Sequence, residues 1–185
     1  MKLSQMLGSY PASRPLNADQ IIEFHAARLL LLILLCGRNQ QISGLTKLAK
    51  LDFFVRYPAF FNRVLSKNDS RLEVDIEGLG SNESAMIRHH YGPWDPRYYQ
   101  VLAYLEGRDL IVVNKEEKAF IFSLTSQGSS IAKRFAEDGA FEQITTHMKR
   151  VGGEFGKKTG HWLKNLIYRV FAEEVAELEK GEVIR

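Results

Sequence analysis

Residues 91–111 read YGPWDPRYYQVLAYLEGRDLI, and this stretch decides the fold. Tyr91-Gly92-Pro93 is a turn, because glycine accepts a positive φ and proline presets the backbone beside it. Asp95-Pro96 is a helix start, a carboxylate N-cap followed by a proline at the first helical position. Tyr98, Val101, Leu102 and Leu105 fall at helical spacing and predict one buried stripe. Gly107 is expected to close the helix, and the chain then enters a strand at Asp109–Ile111.

Downstream, DLIVVN and AFIFSLT are two β-prone runs joined by KEEK at residues 115–118, a hairpin pattern. Thr125 or Ser126 caps a helix to about Glu137, with Ile131, Ala132 and Phe135 facing inward. Upstream, AMIRHHY is a strand candidate, and residues 67–83 are a polar, acidic loop. Ser43 is the expected N-cap of a helix over GLTKLAKLDFFVRYPAFFNRVLSK, residues 44–67. Pro58 should break it near Tyr57, because proline lacks an N–H and clashes with the preceding turn.

A first helix, capped by Asn17 or Asp19 and ended by Gly37, carries the run Leu29–Cys36. It is apolar around its whole circumference there, which belongs in the middle of a domain. The last third is helical, AFEQITTHMKRV and HWLKNLIYRVFAEEVAELEKG, with GGEFGKKTG (152–160) as the break between. The order helix, helix, strand, helix, strand, turn, strand, helix predicts an α+β, mostly helical chain. Its expected form is a winged helix-turn-helix over residues 18–138, preceded by an arm (1–17) and followed by a C-terminal helical extension (139–185).

At 185 residues, with 45% hydrophobic and 25% charged residues, the chain can bury a core without covalent staples. Its single cysteine, Cys36, excludes an intramolecular disulfide and a multi-cysteine zinc site. A cytoplasmic setting is expected from that cysteine usage, and no cleavable signal is evident in the first residues. The apolar run Leu29–Cys36 is far short of the about 20 residues that a membrane span needs, so no membrane partner is expected.

The net charge of +3 is small, but the charges are segregated. Residues 28–67 are basic, the 69–83 stretch is acidic, residues 149–169 are basic again, and the tail after Glu173 is acidic. Such alternation suits docking to charged partners as well as plain solvation.

Catalytic signatures are poor. GGEFGKKTG follows a helix rather than a strand and lacks P-loop spacing, so it reads as a helix–helix break with solvated lysines. A contact to nucleic-acid backbone by Lys157 and Lys158 is the functional alternative. His89 and His90 should point to opposite faces of a strand and share no metal, and Cys36 in an apolar helix should be an inert thiol. No cofactor, metal or catalytic residue is expected, and the chain reads as a non-enzyme.

A DNA-reading helix presents polar or basic side chains outward. Here that face should carry Arg97, Gln100, Tyr104, Glu106 and Arg108. The wing offers Lys115 and Lys118 as phosphate contacts, but Glu116 and Glu117 stand between them, where a phosphate-gripping wing would be more basic. Aromatic rings with arginine favour protein interfaces. Arg97, Tyr104 and Arg108, with Trp162 from the C-terminal helices, are the expected protein-docking residues. Lys115, Lys118, Lys157 and Lys158 are the expected nucleic-acid backbone contacts. A winged-helix transcription regulator or antitoxin that binds its own operator is the alternative reading.

GLTKLAKLDFFVRYPAFFNRVL together with RHHYGPWDPRYYQVLAYLEGRDLI (88–111) resembles the small middle component of bacterial three-component systems. Those systems are built around an ABC-type ATPase of the SMC/Rad50 class, the Lamassu anti-phage systems among them. The resemblance spans roughly residues 20–135, with GKKTGHWLKNLIY (156–168) as a weaker similarity. It implies a non-catalytic subunit that bridges the SMC-like ATPase and an effector, often a nuclease, with DNA engaged through the complex. This chain has room for one winged helix, not for the tandem pair found in the partners of SMC complexes. The resemblance brings no catalytic residue with it.

Overall fold

The computed structural model describes residues 21–66, 86–116 and 119–184. It is mostly helical, with two small antiparallel sheets. Helix α1 (Ile22–Cys36) leads through a tight turn into strand β1 (Gln41–Ser43). Helix α2 (Leu45–Arg56) and helix α3 (Pro58–Ser66) follow. A hairpin of β2 (Ile87–His89) and β3 (Gly92–Trp94) precedes α4 (Tyr98–Gly107), β4 (Ile111–Glu116) and β5 (Ala119–Leu124). Helices α5 (Ser126–Glu137), α6 (Glu142–Phe155) and α7 (Gly160–Val170) complete the regular structure, before a short π-helical turn at Ala172–Ala176. The expected caps Asn17 and Asp19 and the acidic loop at 67–83 lie outside the described residues.

The apolar circumference of α1 has the predicted consequence. Leu29 to Ile33 are all 2% exposed or less, because α1 packs against α2, α4, α5, α6 and β5. Helix α2 contacts α3, α6, α7 and β3, so α6 and α7 share the core built on α1 and α2. Met148, Val151, Phe155, Leu163 and Ile167 belong to that same cluster. Pro58 divides α2 from α3 as expected, with Tyr57 between them in a non-helical conformation.

Strand β1 was not expected. Ser43, read as a helix cap, is the last residue of β1, and Gly44 at φ 92 occupies the cap position with no side-chain hydrogen bond. The three-residue strand arises because Arg38–Gln41 close a reciprocal backbone pair, with Asn39 and Gln40 both at positive φ. That is the backbone of a two-residue hairpin turn. The turn sets Gln41–Ser43 against Ser123–Ile121 of β5, and the larger sheet runs β1–β5–β4, antiparallel throughout.

The turn before α4 sits one step earlier than read. His90 and Tyr91 form it, while Gly92 and Pro93 belong to β3. Gly92 does have the positive φ, 94°. The free edge of β2 is covered by residues near the C-terminus: Arg88 N–H donates to Glu182 O at 2.7 Å and Ile184 N–H to Met86 O at 2.8 Å.

Helix α4 buries the four predicted residues, Tyr98, Val101, Leu102 and Leu105. Its ending differs from expectation. Gly107 is still helical, and Asp109 takes the left-handed conformation at φ 55. Leu110 N–H reaches Leu105 O at 3.0 Å and Asp109 N–H reaches Glu106 O at 2.9 Å, the paired bonds of a Schellman motif. Leu105 and Leu110 are both buried there, and aspartate tolerates the left-handed region better than most residues.

Thr125 caps α5 as expected, its hydroxyl accepting from Gly128 N–H at 2.9 Å. Ala132 is fully buried, and Ile131 and Phe135 pack at the edge of the core. The GGEFGKKTG stretch is not a break along its whole length. Helix α6 runs through Gly152 and Gly153 to Phe155, and the break is confined to the residues before α7. A Cβ on Gly152 would stand 2.4 Å from Leu35 O, and one on Gly156 would stand 2.8 Å from Cys36 O. These glycines let α6 approach the end of α1 closely. The second helix of the last third also ends early, at Val170 rather than near Lys180.

Candidate functional site

The region around the start of α4 combines buried charge with exposed rings. Asp95 begins as the predicted cap: its Oδ1 accepts from Arg97 N–H at 2.9 Å, and the regular helix follows from Tyr98. The same carboxylate is also the centre of an ion cluster. Arg97 donates to it from Nε and Nη2 at 2.9 and 2.8 Å, and Arg56 Nη1 donates at 2.7 Å. Burial alone would raise this acid, but the hydrogen bonds from Arg97 and the charges of Arg56 and Arg97 hold it well below the usual carboxylate range.

Asp52 is the second carboxylate of the cluster, fully buried on α2. Arg28 on α1 meets it in a fork, Nε to Oδ1 at 2.9 Å and Nη2 to Oδ2 at 3.4 Å. The Tyr98 hydroxyl donates to Asp52 Oδ2 at 2.7 Å. His25 lies between two guanidinium groups, with Nδ1 3.1 Å from Arg28 and Nε2 3.0 Å from Arg97. The chain of contacts ties α1, α2 and α4 together through charge-assisted bonds. Its sequence signal was the acid at Asp52, which interrupts an otherwise apolar helical period.

This geometry settles what Arg97 can do. It was expected on the outward face of α4, but its guanidinium turns back onto Asp95 and His25. The two other α4 candidates do come together. Tyr104 donates to Glu23 Oε1 at 3.1 Å, and the Arg108 guanidinium lies 4.6 Å from the centre of its ring. Lys115 is exposed on β4. Lys118 lies outside the described residues. Lys157 and Lys158 are exposed between α6 and α7, and Lys158 Nζ stands 4.9 Å from the centre of the Trp162 ring. Trp162 is 38% exposed and packs against Phe155 at 6.1 Å between centroids. Tyr104 with Arg108, and Lys157 and Lys158 with Trp162, thus form two separate groupings.

The sequence groups Trp94, Tyr98, Tyr99 and Tyr104 here as an aromatic interface candidate, with Trp94 and Tyr98 expected in the core; the structure buries Tyr98 and adds Tyr91 to the exposed rings. Tyr99 is 67% exposed and Tyr91 60%. The Trp94 ring lies 5.7 Å from Tyr99 and stacks on His89 at 5.4 Å. His89 and His90, expected on opposite faces, have ring centroids 4.9 Å apart. Alternation fails because β2 ends at His89 and His90 belongs to the turn. Tyr99 is legible in the sequence, since it follows a buried stripe residue on the helix. Tyr91 is not, because its exposure depends on the hairpin.

Beneath this surface lies Lys50, 1% exposed, with its ammonium donating to Pro93 O at 2.8 Å. Burial, helped by the charge of Lys164, pulls this amine down to about 7. Cys36 is buried as expected, and its thiol donates to Met148 O at 3.3 Å. Burial and the charge of Asp52 push it up to about 12, which disfavours the nucleophilic thiolate. Among the described residues no cluster of His, Cys, Asp or Glu is arranged to hold a metal ion. No helix among them is long and apolar enough to cross a membrane. Comparisons with protein-family models, with curated proteins and with solved structures return no match to this chain.

Proposed function

We propose that this protein is a winged-helix docking subunit, a non-catalytic adaptor that holds other polypeptides in a complex. On this reading α1, β1, α2–α3, α4 and the β4–β5 hairpin are the winged-helix module. The sheet order β1–β5–β4 and the position of α4 before the hairpin support that assignment. The helices from α6 onward form the extension.

One observation carries the docking reading: the cations of α4 have partners within the fold, while Tyr99 on the helix and Tyr91 ahead of it stand exposed. Arg97 is bound to Asp95 and Arg108 stacks on Tyr104. Tyr99, Gln100, Ala103, Glu106 and Gly107 are the exposed residues of the helix, with Arg108 exposed at its end. Grip on DNA depends on neutralising phosphates, whereas exposed aromatic rings are the usual anchors of protein interfaces. The resemblance of residues 44–65 and 88–111 to middle components of three-component defence systems names the partners. They are an SMC/Rad50-like ATPase and an effector nuclease, with DNA held by the whole complex in a cytoplasmic anti-phage or anti-plasmid role.

The test is purification from the native host with the chain tagged. A large coiled-coil ATPase should co-elute with the wild-type chain and be lost with Tyr99→Asp, while circular dichroism of the variant stays unchanged. If the isolated protein instead selects one short duplex among many at physiological salt, it is an operator-binding regulator or antitoxin and the docking reading fails.

A further inference from the structure

A second feature, independent of α4, is a cavity of about 800 Å³ where the end of α1, the start of α2 and the α6–α7 junction meet. Its volume is that of a small-molecule site. Four cations line it from three separate places in the chain: Arg38 beyond α1, Lys47 on α2, and Lys157 and Lys158 before α7. Among the described residues, no aspartate or glutamate lines it. Lys47 donates to Gly156 O at 2.6 Å, and partial burial pulls its amine below the ordinary lysine value. The half-buried Lys47 and the exposed Arg38, Lys157 and Lys158 give the cavity a lining of one sign, which favours an anion.

The helix ends do not account for the charge. The C-termini of α1 and α6 and the N-termini of α2 and α7 all reach this region. Two ends of each sign, about half a charge apiece, offset one another. What remains is the side-chain charge. Gly37, Gly152, Gly156 and Gly160 also line it; a Cβ on any of them would meet neighbouring backbone, so these glycines set how closely the helix ends meet around the cavity. Thr159 caps α7 by accepting from Trp162 N–H at 3.1 Å. The N–H groups of Gly160 and His161 precede the first bond of that helix, from Leu163 to Thr159, and are orphans of the first turn.

We infer that this cavity binds the phosphates of a nucleotide, delivered either as a free nucleoside polyphosphate or as the 5′-phosphate end of a nucleic-acid strand. Arg38, Lys157 and Lys158 supply charge-assisted hydrogen bonds, and Lys47 adds its charge. A concave site of this size suits a compact polyanion better than the flank of a duplex.

The experiment is calorimetric titration of the full chain at physiological ionic strength with pyrophosphate, with ATP, and with one oligonucleotide carrying a 5′-phosphate or a 5′-hydroxyl. Pyrophosphate should bind saturably at one site. The exposed double variant Lys157→Gln/Lys158→Gln should weaken it at least about tenfold, and Arg38→Gln should do so by a similar factor. Lys133→Gln, exposed on α5 and outside the lining of the cavity, should leave it unchanged. ATP binding well above pyrophosphate identifies a free nucleotide, and preference for the 5′-phosphorylated strand identifies a strand end. The inference is overturned if none of the phosphate probes binds saturably. It is equally overturned if the double variant, still folded by circular dichroism, binds as well as wild type, or if the oligonucleotide binds equally with either end and pyrophosphate does not compete.

Discussion

Lys50 sits where its own charge is least welcome, and that makes it the residue most sensitive to pH. In the unfolded chain its amine titrates near 10.5, and in the fold at about 7. Above pH 7 the unfolded chain therefore holds the extra proton, so stability rises with pH, by up to about 1.4 kcal/mol per pH unit. Cys36 acts in the opposite sense. Its thiol ionises near 9.0 when unfolded but only at about 12 in the fold, so above pH 9 stability is lost through it and the two slopes offset. Urea midpoints should climb between about pH 7 and about pH 9 and then level off. Lys50→Met should flatten the climb, and a variant that keeps it would refute this account. Asp95 carries a second expectation. Its lowered pKa means that its contribution is present above the ordinary carboxylate range and lost as pH falls through the folded value. Asp95→Ala takes the 2.7 Å carboxylate from buried Arg56 and should cost about 3–5 kcal/mol in urea unfolding. The sequence showed Asp95 as a cap and Asp52 as an interruption. That the two acids join three arginines was hidden, because the partners lie as many as 39 positions apart.

At the scale of elements, glycine was the hardest residue to read. The same letter can end a helix, supply a positive φ, or clear space for a neighbour, and only the third dimension separates these uses. Gly107 was taken for a terminator, yet it is helical and exposed, and a Cβ there would meet nothing within 4 Å. Gly107→Ala should therefore stabilise the protein by up to about 1 kcal/mol, since alanine is the better helix former. Gly152 was taken for part of a break, yet it lies inside α6 against the backbone of Leu35. Gly152→Ala should destabilise by at least about 2 kcal/mol, as an overpacked helix contact. Thermal melts of the two variants should move in opposite directions, and a shared direction would show the packing argument to be wrong. Elements with several concurring signals were legible: α4 from its cap and stripe, α5 from Thr125, the α2–α3 division from Pro58. Strand β1 was not, because three residues are too few to display alternation, and its pairing depends on a turn whose residues, Asn39 and Gln40, lack the usual glycine.

For the whole molecule, the question is whether stability and docking are carried by different side chains around α4. The sequence placed the docking candidates on that helix but could not separate outward from inward among them, since Arg97 lies at the helix start, where the backbone has not yet taken up the helical period. In the fold, Arg97 is 26% exposed and bound to Asp95, whereas Tyr99 is 67% exposed beside Trp94. The two should respond differently to truncation. Arg97→Ala should lower the urea midpoint by an amount equivalent to about 1–3 kcal/mol, because it strips charge-assisted bonds from a buried carboxylate. Tyr99→Ala should leave the midpoint within about 0.5 kcal/mol of wild type, yet weaken partner capture by about tenfold or more, as truncation of an interface anchor does. Measuring both quantities on both variants separates the roles. If Tyr99→Ala unfolds the chain, or binds its partner as wild type does, the exposed rings are not the docking surface, and the α4 face loses its claim to be the site.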